Sequence, residues 1–277
     1  MSASGPAAPA SGPGRTAKLR TENLRKVYGG HAVLDGVNFS VAPGESVVVV
    51  GPSGTGKSVL IKHLIGLIQP DAGKVFVDGT DFWSLYALQR GELRKKFGMA
   101  FQEGALFDSM NVYDNVAFPL RRTGRTPAQV RARVSECLEL VQLPDVGAKR
   151  PSELSGGMRR RVGFARAIAH QPEILLFDEP NTGLDPIMTD IIAEVIVGIR
   201  KQLRATIVTI THHLASARKI GDRLALLFGG HILFEAPPEE FMSSRDPAVR
   251  QFVEGRAQGP LTVESERLTR KKIWEAR

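Results

Sequence analysis

The feature that most constrains this chain is a glycine-rich octapeptide placed directly after four consecutive valines at residues 47–50. The octapeptide fits the pattern G-x-x-x-x-G-K-[ST], and residues 58–68 after it have the three- and four-residue apolar spacing of a helix. A strand, a glycine loop and a helix in this order predict a cradle whose backbone N–H groups converge on phosphate oxygens. The predicted cradle consists of Gly51, Pro52, Ser53, Gly54, Thr55, Gly56, Lys57 and Ser58.

Individual residues of the cradle have separate predicted roles. Lys57 is expected to reach the β- and γ-phosphates of a nucleotide, and the Ser58 hydroxyl to ligate Mg²⁺. Glycine at positions 51, 54 and 56 allows backbone angles and a close approach that a Cβ atom would block. The alternative is a chance match in a chain with 28 glycines, and the flanking strand and helix argue against it.

The composition is that of an ordinary globular protein with a basic tilt. The 277 residues are 42% hydrophobic and 24% charged, and the formal net charge is +8. One compact α/β domain with subdomains fits this length. The positive charge is typical of a solvated basic surface, and it is also compatible with binding to nucleic acid or to anionic lipid headgroups.

The sequence also bears on the cellular compartment and on membrane insertion. The only cysteine, Cys137, cannot form an internal disulfide, and its amphipathic helical context predicts a buried structural thiol in a reducing cytoplasm. No apolar stretch approaches the roughly 18 residues that span a bilayer, so the polypeptide is not expected to cross a membrane by itself. Residues 1–18, rich in Ser, Ala, Gly and Pro, are expected to be a disordered lead and not a secretory signal.

A pair of adjacent carboxylates, Asp178 and Glu179, follows an apolar run at residues 174–177. Open α/β sheets bind their ligands at the carboxyl ends of the strands. Because adjacent residues on a strand point in opposite directions, the two acids can serve different tasks. We expect Asp178 to hold Mg²⁺ through water and Glu179 to face the attacking water, although acidic residues at a strand end are also common as ordinary loop residues.

Other candidate positions are less specific by themselves. Tyr28 is either a half-buried strand residue or a ring that stacks on adenine. His212 follows an apolar strand at residues 205–210 and is expected to contact the γ-phosphate and the attacking water, whereas His213 is interpreted as a solvated neighbour. The loop 104–110 carries several apolar residues, which indicates a partner surface.

A second helix start lies at Ser155, which is followed by two glycines. The pattern indicates either an anion-binding helix N-terminus or an ordinary N-cap serine after a loop. Spacing alone does not separate the two.

Taken together, these motifs resemble those of ATP-binding cassette (ABC) ATPases over residues 19–254. The resemblance implies an α/β P-loop NTPase with a RecA-like core, an antiparallel β-subdomain and an α-helical signature subdomain. It predicts an ATPase domain at residues 19–255, with the helical subdomain at about 103–165, and a basic tail at 256–277. The motifs that carry it, in order, are 51–58, Gln102, 154–158, 178–179, 183–186 and His212.

The resemblance also implies roles for single residues and a second subunit. Tyr28 would stack on adenine, and Gln102 would be a catalytic sensor of the γ-phosphate and the metal. Asp185 would communicate across an interface between two copies of the chain, which together would bind two molecules of ATP with Mg²⁺. The γ-phosphate of ATP held by one copy would be capped by three residues of the other, Ser155, Gly156 and Gly157.

Two positions depart from the usual family pattern: Met158 replaces a glutamine and His213 an aspartate. The signature ending in methionine is similar to that of the ATPases of Mla/Mce-type lipid transporters, as are residues 102–107, 111–120 and 246–255. This similarity implies an integral membrane permease, an MCE-domain substrate-binding protein and possibly a STAS-domain protein as partners. It places the subunit peripherally at the cytoplasmic face of the inner membrane.

A competing interpretation is a soluble ABC ATPase that acts on ribosomes or nucleic acid. Such proteins usually carry two cassettes or a long coiled-coil insertion, whereas this chain has room for one cassette and no long heptad run. Nucleic acid is therefore not expected as a partner. The basic tail is interpreted as either a frayed charged helix or a docking segment.

Overall fold

The computed structural model describes residues 17–102, 104–121 and 123–262. Most of the predicted lead (1–18) and of the basic tail (256–277) lies outside these ranges. The described start of the tail packs against the preceding helix, since the Leu261 N–H donates to Gln251 Oε1 at 2.8 Å. Within the described ranges, no helix combines the length and apolar character needed to cross a membrane.

Two sheets organise the described chain. The strands are β1 (Leu19–Tyr28), β2 (His31–Val41), β3 (Ser46–Val50), β4 (Ala72–Val77), β5 (Thr80–Asp81), β6 (Phe97–Ala100), β7 (Ile174–Asp178), β8 (Thr206–Ile210), β9 (Arg223–Phe228) and β10 (His231–Ala236). The first sheet is antiparallel, in the order β2-β1-β4-β5. The second has the order β10-β9-β3-β8-β7-β6, parallel from β9 to β6 with β10 antiparallel at one edge.

Strand β3 lies in the middle of the second sheet, and this position explains its run of valines. Both of its faces are covered, as expected for a central parallel strand. Val48 and Val50 pack in a core with the helices that surround the signature segment 154–158. Val47 and Val49 point the other way, into a core shared with the antiparallel sheet. The end of β3 is therefore fixed from both sides.

The helices are α1 (Lys57–Leu64), α2 (Ala87–Arg94), α3 (Val112–Ala117), α4 (Pro127–Leu140), α5 (Gly156–Ile168), α6 (Pro186–Leu203), α7 (Leu214–Ile220), α8 (Pro238–Ser243) and α9 (Pro247–Glu254), with short 3-10 helices at Phe82–Ser84, Phe118–Leu120 and Pro151–Glu153. Helices α3, α4 and α5 contact one another and form a helical subdomain. This arrangement has the three parts that the sequence predicted.

Two boundaries differ from what the sequence pattern predicts, which is a short charged helix over residues 84–96 followed by an apolar strand over residues 97–102 that ends in Gln102. The helix expected from Ser84 begins only at Ala87, after a 3-10 turn. The strand expected to run through Gln102 ends at Ala100, because the chain turns there and the Gly104 N–H donates to the Phe101 carbonyl at 2.9 Å. Gln102 thus lies in a turn beyond the end of β6.

Cys137 is fully buried on α4, in the core of the helical subdomain, as predicted. Burial raises the pKa of its thiol to about 11, so the reactive thiolate is scarce near neutral pH. We expect a chromogenic thiol reagent at pH 8 to label Cys137 slowly in the native protein and rapidly in guanidinium chloride. Rapid labelling of the native protein would contradict this burial.

Candidate functional site

The glycine loop between β3 and α1 has the geometry of a cradle that tolerates few side chains. Gly51 has φ of +151°, and a Cβ there would lie 2.3 Å from the Leu227 carbonyl oxygen. Gly56, at φ +96°, would place a Cβ 2.8 Å from the Val33 carbonyl oxygen. Gly54 has open space around it and requires glycine only for its φ of +81°. Close packing therefore explains two of the three predicted glycines, and backbone angle the third.

Lys57 is the first residue of α1, and its ammonium points back over the loop. It donates to the carbonyl oxygens of Gly51 and Pro52, each at 2.8 Å, and its side chain is only 6% exposed. Burial lowers the pKa of this ammonium, and the charges of Glu179 and Asp178 oppose the shift. A nearly buried cation at the start of a helix, over a glycine-rich loop, is suited to an anionic ligand.

A pocket opens over this loop. Sequence reasoning missed two lining residues. One is Val59, which follows Ser58 on α1, and the other is Val33, which β2 of the antiparallel sheet brings against Gly56. No motif marks Val33, so only the packing of the two sheets identifies it. The lining residues are Val33, Ser53, Gly54, Gly56, Lys57, Ser58, Val59 and Glu179.

Ser58 and Asp178 meet at one end of the cradle, where the Ser58 hydroxyl donates to Asp178 Oδ1 at 2.9 Å. Burial raises the pKa of the Asp178 carboxyl, against the effect of this hydrogen bond. Two adjacent oxygen donors fit Mg²⁺, which proteins hold through one or two carboxylates together with substrate phosphates and water. The described residues contain no group of three or more His, Cys, Asp or Glu side chains suited to a metal.

Glu179 lies just beyond the end of β7, in a left-handed backbone conformation with φ of +48°. Its N–H donates to the Ile210 carbonyl at 2.9 Å. The carboxylate is 3.7 Å from the Lys57 ammonium. This turn, and not the alternation of a strand, separates the Glu179 side chain from that of Asp178.

Two further side chains hold the Glu179 carboxylate. His212 Nδ1 lies 2.9 Å from Oε2, and the Thr182 hydroxyl donates to the same oxygen at 3.2 Å. An ionised carboxylate only accepts, so Nδ1 carries the hydrogen of this bond and leaves Nε2 as an acceptor in neutral His212. Sequence reasoning missed Thr182, although its position three residues after Glu179 in a turn is a local signal.

His213 is not the solvated neighbour that we expected. It is half-buried at the start of α7, and its ring packs on that of His212 with centroids 4.3 Å apart. Burial, and secondly the neighbouring His212, lower the pKa of His213. The stack limits the positions that the His212 ring can adopt.

The signature segment and the helix start that follows the turn at 183–186 contact each other, and neither lines the pocket. Ser155 caps α5 by accepting from the Met158 N–H at 3.2 Å, and Asp185 caps α6 by accepting from the Met188 N–H at 2.9 Å. A Cβ on Gly157 would lie 2.5 Å from Met188 Cε, so the two helix starts are packed together.

Several predicted site residues do not line the pocket of their own chain. Tyr28 is 46% exposed at the end of β1, and its ring lies 5.5 Å from the Lys26 ammonium. Gln102 is exposed, and its main-chain carbonyl oxygen accepts from Arg160 Nε at 2.7 Å. The other predicted site residues outside the lining set are Gly51, Pro52, Thr55, Ser155, Gly156, Gly157, Asp178, Asp185 and His212, of which Gly51, Pro52 and Thr55 belong to the loop itself.

Residues 34–182, more than half of the chain, match the family model described as ABC transporter. The chain belongs to the ABC transporter family. As a member, it is an ATPase and the ATP-binding subunit of a transporter. The predicted P-loop fold is confirmed by the solved dimeric structure of MJ0796, described as a bacterial ABC transporter cassette, with a TM-score of 0.74, 30% identity, and coverage of 79% of this chain and 98% of that one.

This ABC cassette is similar to relatives with different substrates in their names. It is 43% identical to the probable ribonucleotide transport ATP-binding protein mkl of Mycobacterium leprae, over 90% of this chain and 72% of the relative. It is 43% identical to the methionine import ATP-binding protein MetN of Caulobacter vibrioides, over 87% and 74%. Identity to the intermembrane phospholipid transport system ATP-binding protein MlaF of Haemophilus influenzae is 37%, over 88% and 92%.

Proposed function

We propose that this cassette hydrolyses ATP to energise lipid transport, across or between membranes, through a separate permease. The observation that carries the hydrolytic part is the position of Glu179. Its carboxylate lies on the wall of the phosphate cradle, next to Lys57 and within hydrogen-bond reach of His212. A carboxylate held at this place can accept a proton from a water molecule that attacks the γ-phosphate.

In the proposed mechanism, the cradle and Lys57 bind the phosphates, and the Lys57 ammonium exchanges its two carbonyl partners for phosphate oxygens. Mg²⁺, held by Ser58 and Asp178, would supply positive charge to the β- and γ-phosphates. Glu179 takes the proton of the attacking water. Neutral His212 has only an acceptor nitrogen free while it donates to Glu179, so it contacts phosphate as an imidazolium or after this bond breaks. Gln102 stays a proposed sensor of the γ-phosphate and metal.

The active unit is proposed to be a dimer. Ser155 and Gly156 are exposed at the N-terminus of α5, an arrangement suited to an anion, yet they do not line the pocket of their own chain. Two copies arranged head to tail would complete two ATP sites, with Tyr28 against adenine and Asp185 at the interface. A solved relative, the MJ0796 cassette at 30% identity, is dimeric.

Lipid is the proposed cargo because of subfamily features. Met158 ends the signature, and the match to the phospholipid transport ATPase MlaF extends over 92% of that protein. Segments 102–107, 111–120 and 246–255 support the same subfamily, which implies an MCE-domain protein and possibly a STAS-domain protein as partners. The names mkl and MetN, with ribonucleotide and methionine, are the competing substrate classes. The proposed location is peripheral, at the cytoplasmic face of the inner membrane.

The proposed permease contact is the aromatic pair Phe107 and Phe118 on the helical subdomain. The two rings lie 4.9 Å apart, yet the residues are 41% and 46% exposed. An apolar pair at the surface, packed but uncovered, is suited to a partner. The guanidinium of Arg166 lies over the Phe107 ring, 5.4 Å from its centroid.

Affinity purification of the tagged cassette from detergent-solubilised membranes tests the transport proposal. We expect a permease to co-purify with the wild type, and the double variant Phe107→Asp/Phe118→Asp to lose it while keeping ATPase activity. Leu88→Asp, which places the same charge at an 87% exposed apolar position elsewhere, is the matched control. Recovery of ribosomes or nucleic acid without a permease would instead support the soluble ABC alternative. A permease operon that encodes an amino acid importer would contradict the lipid assignment.

A further inference from the structure

Arg160 of α5 is a charged residue that joins the two loops after β6 and β7. It is buried, with only 7% of its surface exposed. The guanidinium donates through Nε to the Gln102 carbonyl and through Nη2 to the Thr182 carbonyl, each at 2.7 Å. These two carbonyls belong to the segments that follow β6 and β7, neighbouring strands of the parallel sheet. One planar group therefore sets the separation of two loops that no strand pairing connects.

The loop on one side of Arg160 is attached firmly to α5. A Cβ on Gly163 would lie 2.8 Å from Gly104 Cα, so helix and loop backbone touch. Arg166 Nη2 donates to the Gly104 carbonyl at 3.0 Å, and the same guanidinium lies 5.4 Å from the Phe107 ring. The aromatic surface at Phe107, the loop and α5 thus form one packed unit.

The loop on the other side leads directly to the catalytic carboxylate. The Thr182 N–H donates to the Glu179 carbonyl at 3.4 Å, which closes a turn over residues 179–182. The Thr182 hydroxyl donates to Glu179 Oε2 at 3.2 Å. A displacement of the Thr182 backbone therefore reaches the Glu179 side chain through a single residue.

We propose that Arg160 is a positioning residue for hydrolysis, which couples the Phe107 side of the helical subdomain to the Glu179 carboxylate. The proposal deepens the proposed function and rests on it, because the displacement is supplied by a permease bound at Phe107. A shift of α5 carries Arg160 with it, and the guanidinium moves the Thr182 turn, since both of its hydrogen bonds are short and partly buried. Arg160 touches neither nucleotide nor metal in this scheme.

The first test compares the kinetics of Arg160→Gln and Arg160→Lys with those of the wild type, on the cassette alone and in its detergent-solubilised complex. The loss of coupling through a packed network changes a rate or an affinity by about 3- to 30-fold. We therefore expect kcat to fall by that factor while the KM for ATP stays unchanged. Lysine keeps the charge but lacks the planar fork, so it should not restore kcat. Arg161→Gln is the matched control, because Arg161 donates from the same helix to the carbonyls of Val141 and Gln142, away from Glu179.

The second test is a double-mutant cycle with Thr182→Val, a substitution at a partly exposed position. If Arg160 acts through the Thr182 turn, the double variant should be about as slow as the slower single variant, whereas multiplied losses would overturn the proposal. Wild-type kcat in Thr182→Val, or in an Arg160 variant that binds ATP normally, would overturn it as well. If the wild-type cassette has the same kcat with and without its permease, that result counts against the proposed function. The double-mutant cycle on the cassette alone still decides whether Arg160 acts on Glu179.

Discussion

Glu179→Gln is expected to lower the ATP turnover number about 10²- to 10⁴-fold, which is the scale of a lost general base, while ATP binding is retained. The amide has almost the same shape as the carboxylate but cannot accept the proton of the attacking water. The Thr182 hydroxyl and His212, which now bond Oε2, can still contact the amide oxygen. The chemical step should therefore fail without collapse of the site.

Steady-state hydrolysis and calorimetric titration with ATP measure the two halves of this expectation. Glu173→Gln is a suitable control, because Glu173 lies at the other end of β7, with a side chain 52% exposed and paired with Lys18. Its turnover should match that of the wild type. Near-normal hydrolysis in Glu179→Gln would mean that another group is the base and would remove the main support for the mechanism.

Lys57→Ala is expected to weaken ATP binding on the order of 30-fold or more, since loss of one partner of a buried charged hydrogen bond costs about 2–5 kcal/mol. The Lys57 side chain is 6% exposed and lies over the glycine loop. Its burial already disfavours the lone cation, so a phosphate ligand recovers part of that unfavourable free energy. The effect should appear in affinity, in contrast to the effect of Glu179→Gln on turnover.

The affinity of Lys57→Ala is best measured by calorimetry with ATP and Mg²⁺, together with the melting temperature of the free protein. Lys201→Ala, at an exposed lysine on α6, removes the same charge from the surface and should bind ATP normally. An unchanged affinity in the folded Lys57→Ala variant would argue that this lysine is structural and that the loop binds phosphate through its backbone alone.

Parts of the site that are local in the sequence could be predicted from it. The four valines of β3, the glycine loop and α1 are continuous, so the cradle follows from one stretch. The adjacent acids at the end of β7 were likewise predicted, although the turn at Glu179, with φ of +48°, separates them differently than expected. Gln102 was placed on a strand that in fact ends at Ala100, because a turn closed by Gly104 competes with pairing.

Contacts between distant stretches could not be predicted in this way. Val33 reaches the cradle because the two sheets share a core. The link through Arg160 joins residues 58 and 22 positions apart.

The sequence by itself determined the family and predicted the cradle and the two acids, since each depends on residue types at short spacing. Only the tertiary structure decided that the signature lies outside the pocket of its own chain and that Arg160 joins the loops that follow β6 and β7. The physical reason is that such contacts depend on how the sheets and helices pack, and packing is set by the whole buried core and not by any single segment.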